Sequence, residues 1–320
     1  KLKSMVDGWH YVHGFSPHKV CELVAEQKID VLFDLTGHTG KNRLVVFSRR
    51  AAPVQVTWLG YPDTTGVGNM DYRIVDDVTD PSPWADELAS EKLYRLPETF
   101  ICYQPADDVP DVPVKSRLSE GKIVFGTFNE ASKFSPSVLR LWCEILNRIP
   151  EAELVFKCRP FGEEKTKEYM FSVFQKYGVD ESRVRLLAFI QSADGHLGTY
   201  NEIDIALDPF PYNGTTTSFE ALWMGVPFIT REGDRHCARV GMSMLKSVGL
   251  DEFIAESDEA YVQKAVDIAA DRDHLLAIKL GLRERMRKSA LCDNARFAVH
   301  FGDALRDMWQ RWCDDKNRSG

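Results

Sequence analysis

The chain has 320 residues, 44% of them hydrophobic and 28% charged, with a formal net charge of −8 at pH 7. Such a length accommodates two domains that each bury a core, while the acidic balance argues against broad nucleic-acid binding, which calls for a basic excess. No apolar stretch approaches the roughly 18 residues of a membrane-spanning helix, and seven scattered cysteines (Cys21, Cys102, Cys143, Cys158, Cys237, Cys292, Cys313) without a Cys-x-x-Cys pair argue against a zinc cluster or a disulfide framework and for reduced thiols in a cytosolic compartment.

The chain opens on Lys1, with neither an initiator Met nor a leader, and reads as a piece of a longer protein. Val20, Leu23 and Val24 at helical spacing predict a helix over 18–27. The apolar run 29–35 predicts a buried strand opening into Thr36-Gly37-His38-Thr39-Gly40. A second strand, 54–59, opens into Gly60-Tyr61-Pro62-Asp63-Thr64-Thr65-Gly66, and a third, 72–75, ends at Asp76-Asp77. Strands that each feed a polar loop are the grammar of a doubly wound α/β sheet, and they put those loops at one sheet edge, where such folds bind ligands.

Residues 107–121, rich in Pro, Asp and Val without periodicity, predict a linker. A second α/β unit begins with a strand over 122–127, followed by the loop Phe128-Asn129-Glu130-Ala131-Ser132-Lys133. Pro136 opens a helix striped with Val138, Leu139, Leu141, Trp142, Ile145 and Leu146. A strand over 153–158, a helix through Phe171 and Phe174, and strands over 184–187 and 203–207 come next. The Asn213-Gly214-Thr215-Thr216-Thr217 loop then opens a helix over 218–224, and a strand over 227–230 follows. From Asp258 the chain is helical, and its last stripe (Phe297, Phe301, Leu305, Met308, Trp309, Trp312) reads as core packing.

The threonine loop carries the sharpest local chemistry. Gly214 permits a tight turn, and Thr215, Thr216 and Thr217 stand at a helix start, where unpaired amides and the positive dipole end favour an anion. Read this way, the loop holds a diphosphate and Glu220, one turn on, accepts from ribose hydroxyls; on the other reading the threonines only cap the helix. Lys133 follows a strand and loop of the same unit and reads either as a phosphate partner or as a solvated lysine. His196 reads as structural or functional, and His38 as a base or a sugar contact. No histidine shows metal-ligand spacing, so no metal is expected.

Together these pieces resemble the protein O-GlcNAc transferases and their SPINDLY-type relatives. The likeness runs from about residue 20 to residue 312, through Thr36-Gly37-His38-Thr39, the string Arg50 to Pro62, Thr64-Thr65-Gly66, Met70-Asp71-Tyr72, Phe128-Asn129 with Lys133, Leu207-Asp208 with Thr215-Thr216-Thr217, and Leu222 to Pro227. It implies an α/β GT-B architecture of two Rossmann-like domains facing a cleft: a partial acceptor-side domain over 1–115, a nucleotide-sugar-binding domain over 116–296, and a C-terminal helix over 297–320 packing across both.

The resemblance also implies inverting, metal-independent transfer of GlcNAc from UDP-GlcNAc to Ser or Thr hydroxyls of proteins. Lys133 would neutralise the diphosphate, Thr216 and Thr217 would bind phosphate oxygens with Thr215 also on the donor side, and Glu220 would bind the ribose. His196 and the Gln191 backbone would meet the base, with Asn129 and Glu130 beside the donor. His38, Gly60, Tyr61, Pro62, Thr64 and Thr65 would line the sugar and acceptor side. The implied partners are a nucleotide sugar and protein acceptors, with no nucleic acid, no membrane and no cofactor. The implied setting is cytoplasmic, or nucleocytoplasmic in a eukaryote, with helical repeats upstream.

Three departures stand against the family pattern. An upstream strand with a His-Pro loop is absent, as are the helical repeats. Animal-type members have His-Thr-Thr where this chain has Thr215-Thr216-Thr217, glutamine where it has Glu130, and aspartate where it has Glu220; the SPINDLY branch shares the three threonines and the glutamate. The alternatives are therefore a protein O-fucosyltransferase using GDP-fucose and a non-catalytic nucleotide-sugar-binding module.

Overall fold

The computed structural model describes residues 2–106, 109–112, 122–188, 190 and 193–319. Most of the linker expected over 107–121, and all of Gln191, lie outside the described residues. The chain divides into two compact units, one of residues 1–75, 82–96 and 299–320, the other of residues 76–81 and 97–298.

In the first unit, α1 (Pro17–Glu26) starts at Ser16, whose hydroxyl accepts the Lys19 amide, with Pro17 in the first turn where its missing N–H is harmless. There follow β1 (Val31–Asp34), α2 (Leu44–Phe47), β2 (Val54–Thr57), β3 (Tyr72–Asp76), α3 (Trp84–Leu88) and β4 (Lys92–Leu96). The sheet order is β1-β2-β3-β4, and β1, β2 and β3 run parallel, with Val31 opposite Val54 and Val56 opposite Tyr72. Their carboxyl ends thus share one edge. Every residue of β2 and β3 is buried, as strands covered on both faces require. Leu44, Val46, Phe47 and Met70 form a core against Val20, Cys21 and Leu32.

The second unit contains β5 (Ile123–Thr127), α4 (Pro136–Arg148), β6 (Ala152–Lys157), α5 (Glu164–Lys176), β7 (Val184–Leu187), α6 (Ala193–Gly198), β8 (Ile205–Leu207), α7 (Thr216–Trp223), β9 (Phe228–Arg231), α8 (Val240–Ser247), β10 (Ile254–Ala255), α9 (Asp258–Ala270) and α10 (Arg272–Arg287). The last helix, α11 (Asn294–Ser319), belongs to the first unit from Val299 onward, where Phe301 packs on Phe33 and Trp58.

All strand pairs in the second sheet are parallel, in the order β10-β9-β8-β5-β6-β7. The chain therefore winds outward from β5 to β7, then returns to the other side of β5 as β8. Between the carboxyl ends of β5 and β8 lies the topological switch point, the place where open α/β sheets leave a crevice for ligands. The apolar stripe of α4 is buried as its periodicity predicts, and its Trp142 indole N–H donates to the Tyr261 hydroxyl at 3.1 Å.

Candidate functional site

The switch point is built from the loops that leave β5 and β8. Thr215 stands at the N-cap of α7, yet its hydroxyl makes no capping bond. The Thr217 hydroxyl donates instead to Asn129 Oδ1 at 3.0 Å, tying the start of α7 to the loop after β5. Helix geometry leaves the Thr216 and Thr217 amides at the open end of α7, where the dipole favours negative charge. A Cβ on Gly214 would stand 2.6 Å from Ser218 Oγ, 2.7 Å from Thr217 Oγ1 and 2.9 Å from Asn129 Oδ1, so only glycine lets these groups converge.

Lys133 closes one side of the loop. Its ammonium donates to the Asn213 carbonyl oxygen at 2.7 Å and lies 4.0 Å from the centre of the Tyr212 ring. Burial draws this amine below the ordinary lysine range, against the Asp208 carboxylate that favours its charge. Asp208 lies beneath the loop, its Oδ1 accepting the Gly214 amide at 2.7 Å and its Oδ2 the Thr230 hydroxyl at 2.7 Å. Burial pushes this carboxyl up to about 7, opposed by those two donors and by Lys133.

Glu220 lies one turn into α7. Its Oε2 faces His196 Nε2 at 3.0 Å and accepts the Tyr200 hydroxyl at 3.0 Å. The structure thus brings together Lys133, Asn129, Thr215, Thr216, Thr217, His196 and Glu220 around one end of the second sheet. Glu130 is exposed at the start of the turn that carries Lys133.

The first unit gathers its own cluster at the carboxyl edge of its sheet. Asp34, the last residue of β1, accepts the amides of Thr36 and Gly37 and the Thr57 hydroxyl, which folds the loop bearing His38. His38 Nε2 lies 2.8 Å from the Thr65 carbonyl oxygen. A carbonyl only accepts, so Nε2 carries the proton and Nδ1 is the nitrogen whose protonation would charge the ring. The Tyr61 ring meets the His38 imidazole edge-on at 5.2 Å.

Thr64 and Thr65 are held by Glu91. One carboxylate oxygen accepts the Thr64 hydroxyl at 2.7 Å; the other accepts the Thr65 amide at 2.7 Å and the Thr65 hydroxyl. Gly60 packs directly onto the backbone of Leu35, and Pro62 sits half-buried in the same loop.

Three side chains of these networks escaped sequence reasoning: Glu91, Tyr200 and Lys157, whose ammonium donates to the His196 carbonyl oxygen. Their only signal was a polar side chain at the end of a buried strand (Lys157) or a place in a polar stretch of ordinary appearance (Glu91, Tyr200). Their contacts reach across 26 residues for Glu91 to Thr65 and 20 for Tyr200 to Glu220.

The chain can be set beside known proteins. It is 42% identical over 306 residues to the tomato (Solanum lycopersicum) protein named probable UDP-N-acetylglucosamine–peptide N-acetylglucosaminyltransferase SPINDLY, a match covering 96% of this chain and 33% of that one. The chain therefore spans about a third of the length of such relatives. A lysine-to-methionine variant of the Thermobaculum terrenum O-GlcNAc transferase superposes with a TM-score of 0.93 at 37% identity, over 98% of this chain and 59% of that one. Anabaena HepE, solved with UDP and glucose, has a TM-score of 0.58 at 14% identity, over 93% of this chain and 84% of that one, a likeness of fold alone. The two parallel sheets are thus those of the GT-B fold. The signature of Glycosyl transferase family 41 matches residues 13–116 and 105–301, and the chain belongs to that family.

Proposed function

We propose that this chain carries the catalytic region of a protein O-GlcNAc transferase that moves GlcNAc from UDP-GlcNAc to Ser or Thr hydroxyls of proteins with inversion at the anomeric carbon. The observation that carries the reading is the Lys133 ammonium, seated on the Asn213 carbonyl beside the open amides of Thr216 and Thr217. In the reaction the acceptor oxygen bonds to the anomeric carbon as the bond to the β-phosphate oxygen breaks. The electron pair leaves with UDP, and the hydroxyl proton passes to a base. Charge grows on the diphosphate, and donors already in place stabilise it without reorganisation.

In this reading Lys133 and the first turn of α7 hold the diphosphate, with Asn129 fixing the Thr217 hydroxyl. Glu220 accepts from the ribose, and His196 meets the base. His38, oriented by Thr65, serves the sugar and acceptor side with Tyr61 and Thr64. The cation at the leaving group is supplied by the protein, so turnover needs no divalent ion, and excess chelator should leave the rate unchanged.

The tomato relative is named for UDP-N-acetylglucosamine and the Thermobaculum enzyme for O-GlcNAc transfer, which supports a uridine donor over GDP-fucose. Calorimetric titration with UDP, UDP-GlcNAc, GDP and GDP-fucose tests the reading. Binding of the uridine pair alone supports it. Preference for the guanosine pair would replace the donor, and binding of none would remove the function.

A further inference from the structure

Lys157, the last residue of β6, is 3% exposed, and an apolar residue would fill its place at lower desolvation cost. Its ammonium donates to the His196 carbonyl oxygen at 2.6 Å and lies 4.2 Å from the centre of the Phe128 ring and 5.4 Å from that of Tyr200. Phe128 is the first residue after β5, and its ring packs on Tyr200 at 4.6 Å. The single Tyr200 hydroxyl lies 3.0 Å from Glu220 Oε2 and 3.1 Å from the Thr217 carbonyl oxygen, which share its one proton as acceptors. One buried cation thus joins α6, which carries His196, to α7, which carries Glu220 and the threonines.

We propose that Lys157 is a positioning residue for the nucleoside end of the donor, acting through the His196 backbone and the charge of Glu220. The proposal rests on the donor-site reading given above. The amine acts in two ways. Its hydrogen bond fixes the turn of α6 that presents His196, which would otherwise bury an unpaired carbonyl. Its charge, attracted to Glu220 and Glu202, compensates the part-buried Glu220 carboxylate. Burial brings the amine down to about 8, so the interior does hold this group under strain of desolvation, with the two carboxylates opposing the shift. Lys133 attends to the diphosphate at the other end of the site, so the two lysines divide the donor between them.

The division gives a test that a merely structural lysine would not pass. In Lys157→Met, calorimetry should show about a tenfold weaker Kd for UDP, with the Kd for inorganic pyrophosphate unchanged. Donor KM should rise by a similar factor, with kcat at saturating donor within about twofold of the parent. If Lys157→Met does not fold, Lys157→Gln, which keeps a donor group without the charge, is held to the same contrast. A folded variant that binds UDP as the parent does, or that loses UDP and pyrophosphate equally, overturns the proposal. A parent protein that binds no uridine nucleotide overturns the donor-site reading itself.

Discussion

Lys133 and Asn213 stand 80 residues apart in the chain, and the ammonium of the first donates to the carbonyl oxygen of the second at 2.7 Å. The contact crosses the switch point from the loop after β5 to the loop after β8. It places a cation, already drawn partly out of water, at the edge of the loop that opens α7. Lys133→Ala should therefore lower kcat by about 100- to 1,000-fold, the range found when one preorganised donor to a developing anion is lost. The melting temperature should move little, because the side chain is only part-buried. Near-normal turnover in a folded Lys133→Ala protein would remove Lys133 from the chemistry.

Much of this arrangement was legible in the sequence, for physical reasons that differ by element. The strands β5 and β6 have apolar centres bounded by polar loops, and burial on both faces leaves that signature. The threonine loop declared itself because Gly214 and three hydroxyl residues precede an apolar helix. β4 was missed because Lys92 and Arg95 break its apolar run, which reads as polar surface, and α8 because Gly241 and two serines dilute its stripe. Glu91 and Lys157 were hidden for a deeper reason. A charged residue looks solvated in one dimension, and only the fold shows that its partners, Thr65 and the His196 carbonyl, come from distant segments.

Asp208 should make stability depend on pH. Its folded value is raised from 3.8 to about 7, so the protonated form is the one that the interior favours. The stability this contributes is present in full below pH about 3.8 and is lost as pH rises through about 7, up to about 4 kcal/mol from a shift of roughly three units. In Asp208→Asn the side chain stays neutral, so this slope should vanish. Melting temperatures of parent and variant, measured from pH 4 to pH 8, should diverge in the variant's favour as pH rises. A constant difference across that range would show that Asp208 titrates as an ordinary carboxylate.

Glu91 should matter to His38 although the two side chains do not meet. Thr65 links them, donating its amide to Glu91 and accepting from His38 Nε2 with its carbonyl. Glu91→Ala removes the acceptor of the buried Thr65 amide and of the Thr65 hydroxyl proton, whose oxygen still accepts the Val67 amide, and should destabilise the protein by about 2–4 kcal/mol. Glu91→Gln keeps the shape, loses charge assistance and should have about half that effect. Nitrogen chemical shifts report the consequence directly. Neutral His38 should be the Nε2–H tautomer in the parent, and in Glu91→Ala it should become a mixture. An Nδ1–H ring in the parent protein would refute the link.

Two glycines of one loop should respond unequally to the same added methyl group. A Cβ on Gly60 would lie 1.8 Å from the Leu35 carbonyl oxygen and 2.3 Å from its carbon. Those are backbone atoms at the end of β1, and they can give way only if the loop that carries His38 moves. Gly66 has a left-handed backbone, with φ of 67°, but nothing within 4 Å of its Cβ position, so Gly66→Ala meets only conformational strain of about 1–2 kcal/mol. Gly60→Ala should lose on the order of 3 kcal/mol or more, the upper range of overpacking, and should shift the His38 resonances even in the folded fraction. Thermal melts of the two variants side by side decide the matter. Equal melting temperatures would mean that the Gly60 loop does not press on β1, and the orientation of His38 would then rest on Asp34 and Thr65 alone.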